Sequence, residues 1–100
     1  MKPENILLKN ISKSGIKLID LGSSCFVDAR CYSYLQSRYY RSPEVLFGLD
    51  YGTEIDTWSM GCVLAELFLG TPLFPGESEL DMVSMLSEVL GLPDVEFIKV

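Results

Sequence analysis

Short apolar runs come first along this chain, and one long apolar stretch lies in its second half. Ile6-Leu7-Leu8 and Ile16-Lys17-Leu18-Ile19 are brief and rich in strand formers. Between them, Lys9 to Gly15 is polar and ends in glycine, which predicts a hairpin with a longer loop. From Asp20 to Gly52 no period is clean, and Gly22, Pro43, Gly48 and Gly52 punctuate the stretch. A connection that long without regular structure is uncommon unless it is functional.

Helix signals dominate the second half of the chain. Thr53-Glu54-Ile55-Asp56 matches a capping box, in which a hydroxyl and a carboxylate satisfy the first free amides of a helix. Asp56 to Leu69 is apolar on nearly every face, the pattern of a helix buried at the centre of a larger assembly, with Trp58 and Cys62 as core candidates. Gly70-Thr71-Pro72 stops it. A second capping box is Ser78-Glu79-Leu80-Asp81. After it Met82, Val83, Leu86, Val89 and Leu90 recur on one face at helical spacing, until Gly91 and Pro93 close the helix. No repeat, low-complexity tract or linker divides the chain.

Bulk composition narrows the class. The chain has 100 residues, which suits one domain at most, and 48% of them are hydrophobic, which argues against disorder. The formal net charge of -6 argues against nucleic acid or an anionic membrane surface as the main partner. The most apolar run, Trp58 to Leu69, is too short for a membrane span, and no signal peptide is visible. Absence of histidine removes the usual Ser-His and Cys-His nucleophile systems and most zinc sites. The 3 cysteines, Cys25, Cys31 and Cys62, show no metal-type spacing and read as reduced thiols of an intracellular protein, in cytoplasm or nucleus.

Three short motifs stand in order: Lys2-Pro3-Glu4-Asn5, Asp20-Leu21-Gly22 and Ser42-Pro43-Glu44. Each alone is weak, since a lysine near the start of a chain is usually solvated and an Asp-Leu-Gly triplet is usually a turn. Together they resemble the motifs of eukaryotic protein kinases. The first keeps the last four positions of the kinase catalytic loop, the second stands where D-F-G stands, and the third where A-P-E stands. Asp56-Thr57-Trp58-Ser59-Met60-Gly61 resembles the start of the long central helix of the kinase C-terminal lobe, and Pro72-Leu73-Phe74-Pro75-Gly76 the segment after it. Tyr32 to Glu44, with a Tyr-x-Tyr pair ahead of an Arg-x-x-Arg pair, and Gly22-Ser23-Ser24-Cys25 are similar to the dual-specificity tyrosine-regulated (DYRK) kinases of the CMGC group.

The resemblance implies an α+β fold across residues 1–100: part of a kinase C-terminal lobe, with a short hairpin, an activation segment and two or more helices. It implies transfer of the ATP γ-phosphate to protein substrates, with Asn5 and Asp20 as cofactor-binding and magnesium ligands. Hard oxygen donors suit magnesium. Lys2 would meet the transferred phosphate as a point charge. Tyr34 is implied as an autophosphorylated tyrosine, with Arg38 and Arg41 folding back on its phosphate through forked donors. Tyr32, Tyr39 and Tyr40 are expected to pack or to line a substrate groove. Gly22, Glu44 and Asp56 take structural roles: the aspartate ties down the catalytic-loop backbone, and the glutamate seeks a later arginine, for which only Lys99 stands here. Leu21 replaces the usual phenylalanine and keeps an apolar packing role.

Several kinase parts are not among these residues. The aspartate base would precede Met1, and the glycine-rich loop, the phosphate-pairing lysine, its glutamate partner and the adenine pocket are also absent from the 100 positions. The expectation is a truncated kinase piece, inactive alone; the alternative is a short, non-catalytic interaction protein derived from a kinase.

Overall fold

The computed structural model describes residues 1–22, 24–27 and 35–91. Tyr34, Tyr32, Cys31, Pro93 and Lys99 lie outside them.

A single 3-10 turn, Pro3–Asn5, leads into β1 (Ile6–Leu8), which pairs antiparallel with β2 (Ile16–Leu18). Proline begins that turn because its fixed φ suits the first position and its missing N–H would be unused there. The register pairs Ile6 with Leu18 and Leu8 with Ile16, and the loop closes through the Lys9 amide donating to the Gly15 carbonyl at 2.9 Å. Inside the loop Asn10 Oδ1 accepts from both the Ser12 amide and hydroxyl, the local bonding that makes asparagine a turn residue.

The expected long connection contains two short elements: a 3-10 turn, Arg38–Tyr40, and helix α1 (Pro43–Leu46). Proline at the start of α1 and the Ser42 hydroxyl accepting from the Val45 amide explain why a helix this short starts there.

Helix α2 spans Glu54–Leu69 and α3 spans Glu79–Leu90. Both end on glycine with positive φ, Gly70 at 83° and Gly91 at 85°, a conformation costly for residues with a Cβ. Ser78 caps α3 by accepting from the Asp81 amide. Asp81 returns the bond to the Glu77 amide rather than to that of Ser78. The cap expected at Thr53 is not made. Thr53 is already helical, at φ -67° and ψ -17°, so its hydroxyl does not face the free amides. Glu54 instead accepts from the Gly52 amide at 2.8 Å.

The core lies between α2, α3 and the 38–40 turn. Tyr40, Cys62, Val63, Phe74, Met82 and Leu86 form its buried set, and Trp58 stacks on Phe74 with centroids 6.1 Å apart. Burying a side chain such as Met82, with no exposed surface, stabilises by about 1.5–3 kcal/mol. A smaller cluster, Leu35, Val45 and Ile55, sits at the α1 end of α2. Only one side of α2 is covered. Leu64, Leu67, Phe68 and Leu69 stay exposed, with Phe68 at 90%, because the hairpin, α1 and α3 do not supply enough surface to enclose an all-apolar helix. No helix among the described residues is long and apolar enough to cross a membrane.

Candidate functional site

The hairpin brings the two ends of its own sequence together. Beyond the β1–β2 register, the Ile19 amide donates to the Asn5 carbonyl at 2.9 Å, so Asn5 and Asp20 emerge side by side. An open cleft of about 600 Å³ lies there, and Lys2, Asn5, Asp20, Gln36 and Asp56 contribute to its walls. Residues distant in sequence thus share one concave surface.

Asp20 has φ 60°, in the left-handed region that aspartate reaches more readily than most residues. Its Oδ1 accepts from the Gly22 amide at 3.2 Å. A Cβ on Gly22 would lie 3.2 Å from the same oxygen, so glycine is what keeps the carboxylate uncrowded. Lys2 Nζ lies 3.8 Å from Glu4 Oε2. Glu4 is exposed and Lys2 partly so, and a pair in contact with solvent is worth at most about 1 kcal/mol, so an incoming phosphate can draw the ammonium away.

The segment after Tyr34 is closed on itself. Arg41 is 2% exposed, and its guanidinium donates through Nε to the Leu35 carbonyl at 2.9 Å and through Nη2 to the Gln36 carbonyl at 2.8 Å. Its Nη1 lies 3.5 Å from Glu79 Oε1. Arg38 donates from Nη1 to the Glu77 carbonyl at 2.8 Å, while its Nε is buried with no hydrogen-bond partner among the described residues. The two arginines expected to share one anion are therefore engaged differently: Arg41 grips backbone, and Arg38 keeps a buried donor in hand.

Gln36 is a site residue that the sequence did not single out. Its φ is 71°, and a non-glycine residue there stores strain on the order of 1–3 kcal/mol. Its Nε2 donates to the Ile55 carbonyl and to Ser59 Oγ, each at 2.8 Å, and its Oε1 accepts from the Ser42 amide at 2.9 Å. Ser59, fully buried, donates from Oγ to the Tyr40 carbonyl at 2.7 Å. These partners lie far along the chain, so no local pattern announces them.

Glu44 occupies the first turn of α1 and Asp56 the first turn of α2. Among the described residues neither carboxylate makes a hydrogen bond or an ion pair. Asp56 faces the cleft, and its place there is shared with Lys2 and Asn5. Leu21 stands 74% exposed beside the cleft, so the packing expected of it is not made within the described residues. Tyr39 is exposed and Tyr40 buried, their rings tilted 6.3 Å apart.

Two groups near the core have shifted titration. Burial, and then the hydrogen bond to Glu66, hold the Tyr40 phenol well above its ordinary range. Burial, and then the Glu66 charge, push the Cys62 thiol up to about 11.

No three His, Cys, Asp or Glu cluster to hold a metal among the described residues. Asn5 and Asp20 are oxygen donors, and a pair of them fits magnesium, which takes one or two protein oxygens and completes its shell with water and substrate phosphate. Asn5 and Asp20 on one cleft offer such a pair.

Residues 1–97 match the protein kinase domain. The chain is 61% identical over 100 residues to dual specificity tyrosine-phosphorylation-regulated kinase 2 of Drosophila melanogaster, covering all of this chain and 14% of that kinase. It is 59% identical over 93 residues to the mbk-2 kinase of the same description in Caenorhabditis elegans, covering 93% of this chain and 11% of that protein. Over 99 residues it is 57% identical to serine/threonine-protein kinase ppk5 of Schizosaccharomyces pombe, covering 99% of this chain and 12% of that kinase. The chain thus spans a small part of the length of the curated relatives it matches. On a match running through both helices and the cleft, the chain belongs to the protein kinase domain family, in its dual-specificity tyrosine-phosphorylation-regulated group.

Proposed function

We propose that the protein containing this chain transfers the γ-phosphoryl group of ATP to hydroxyl groups of protein substrates, and that this chain supplies the metal and phosphate side of the site. The observation that carries the reading is the convergence of Lys2, Asn5 and Asp20 on one cleft. Phosphoryl transfer asks little covalent chemistry of a protein and much positioning and charge neutralisation. Asn5 and Asp20 would hold magnesium, which supplies neutralisation of the phosphate charge when bound. Lys2 directs an ammonium at the phosphate and exchanges its exposed pairing with Glu4 for it. Gly22 leaves the Asp20 carboxylate room to turn towards the cleft.

The reading extends to Tyr34 as a phosphorylated residue. Arg38, whose buried Nε has no partner among the described residues, and Arg41, which grips the backbone at Leu35, both follow Tyr34 closely in sequence. An intracellular location, in cytoplasm or nucleus, is part of the same reading and is supported by the free thiols Cys25 and Cys62.

The test is transfer of labelled phosphate from magnesium-ATP to dephosphorylated casein by the purified full-length protein. Asp20→Asn should lower the rate by about a hundredfold or more, since it removes charge from the metal side of the site. No transfer by the unaltered protein, or an unchanged rate in the variant, would refute the reading.

A further inference from the structure

We infer that Tyr39 is a tyrosine modification site distinct from Tyr34, and that phosphate on it draws Lys2 out of the cleft and slows transfer. The inference rests on the kinase reading for what Lys2 does and on geometry for everything else.

The two adjacent tyrosines differ in what can reach them. Tyr40 is buried, and its hydroxyl donates to Glu66. Tyr39 is 37% exposed, and its hydroxyl makes no hydrogen bond among the described residues. A modifying enzyme therefore meets the Tyr39 oxygen free and the Tyr40 oxygen taken.

Tyr39 lines a second recess, of about 440 Å³, together with Lys2, Arg38, Glu4 and Glu66. Lys2 also lines the larger cleft that holds Asn5 and Asp20, so it stands between the two spaces. Charges in the recess are balanced, Lys2 and Arg38 against Glu4 and Glu66. Each carboxylate has a partner: Glu4 faces Lys2 at 3.8 Å, and Glu66 accepts from Tyr40. Of the cations, Arg38 is tied to the Glu77 carbonyl, whereas Lys2 is held by one weak, solvent-accessible pairing. Phosphate on a tyrosine brings up to about two negative charges and strong acceptor oxygens. Such a group displaces the single charge of Glu4 from the ammonium, which then faces the recess and not the cleft.

The covalent step needs ATP and a separate tyrosine kinase. The Tyr39 Oη–P bond forms, the bond from the γ-phosphorus to its bridging oxygen breaks, ADP leaves, and the phenolic proton passes to the base of that enzyme. Were Tyr39 only an exposed aromatic, phosphate there would add surface charge without touching Lys2. Were the phosphate only an obstacle to the polypeptide, the loss would lie in the KM for protein substrate. Capture of Lys2 instead lowers kcat and makes the lysine less reactive.

The experiment uses the full-length protein and three readouts. Folded protein is incubated with ATP and a purified tyrosine kinase and mapped by peptide mass spectrometry. Phosphate is expected on Tyr39 and not on Tyr40, which is labelled only after unfolding. Protein carrying phosphotyrosine at position 39, built in during translation, is then compared with the ordinary form, with phosphate at all other positions matched. Its kcat towards dephosphorylated casein should fall about tenfold, with the KM for ATP and for casein within about twofold. Acylation of Lys2 by acetic anhydride should slow about threefold or more, because a nearby anion keeps an ammonium protonated. Absence of phosphate on Tyr39 in the folded protein overturns the inference, as does unchanged Lys2 acylation or, in an active protein, unchanged kcat. A raised casein KM with kcat intact assigns the phosphate a blocking role and also overturns it. An ordinary form that transfers no phosphate refutes the kinase reading alone, because Tyr39 labelling and Lys2 acylation still decide whether the phosphate captures the lysine.

Discussion

The Tyr40 hydroxyl donates to Glu66 Oε1 at 2.5 Å, tying the 38–40 turn to the middle of α2. The bond crosses from the segment just past Tyr34 to the helix that carries the core. It favours the neutral phenol, because ionising Tyr40 would place a second negative charge against the carboxylate. Burial acts in the same direction, and more strongly.

Removing that hydroxyl should loosen α2. In Tyr40→Phe the half-buried Glu66 carboxylate loses a donor, and a hydrogen bond to a charged group contributes about 1.5–3 kcal/mol. Hydrogen exchange of the α2 amides in the full-length protein should accelerate to match, towards the lower end because Glu66 can recruit water. The pH dependence has a defined sign. The folded phenol titrates above its ordinary value of 10.0, so its stabilisation is complete below pH 10.0 and is lost as pH rises beyond it. Exchange protection that does not fall above that pH would contradict the assignment.

Cys62 should be a poor nucleophile in the folded protein. The thiolate reacts, not the thiol, and burial holds this thiol protonated up to about pH 11. Brief alkylation at pH 8, followed by peptide mass spectrometry, should label Cys62 far less than after unfolding. Half-buried Cys25 should be labelled more readily. Equal labelling of Cys62 in native and unfolded protein would contradict its burial.

Lys2→Ala in the full-length protein should lower kcat more than it raises the KM for ATP. A solvent-accessible ammonium contributes little to ground-state binding and most where charge develops on the moving phosphoryl group. A variant with unaltered kcat would remove Lys2 from the mechanism.

The 100-residue chain on its own should bind a hydrophobic dye. Leu67 at 77% and Phe68 at 90% exposure leave apolar surface wet on one face of α2. Each Å² left exposed forgoes about 25 cal/mol, and a domain holds only about 5–15 kcal/mol in reserve. A sharp, cooperative thermal transition of a monomer with no dye binding would show that the chain is self-sufficient.

Local chemistry made much of this structure legible. The β1–β2 hairpin arises from two strand-forming runs around a polar loop, and the ends of α2 and α3 are set by Gly70 and Gly91. Motif order grouped Lys2, Asn5 and Asp20, and all three line one cleft. The features that escaped were set by contacts between distant residues. The roles of Gln36 and Ser59 depend on a bond across 23 positions. The backbone grip of Arg41 depends on the chain turning at Gln36. Thr53 failed as a cap because the chain enters the helix already turned, which residue type alone does not reveal.

The hairpin has one further consequence, for tolerance to change. Its pairing runs from Leu8 and Ile16 down to the Ile19–Asn5 bond, and the two proposed metal donors sit at that open end. The Lys9–Gly15 loop lies at the opposite end, fully exposed, with its bonds confined to its own residues. Lengthening or replacing that loop therefore leaves the spacing of Asn5 and Asp20 untouched, whereas inserting a single residue into either strand shifts one donor relative to the other. The loop is accordingly the place in this half of the chain for an inserted tag or reporter, and the strands are where a register error would silence the site without disturbing the helical core.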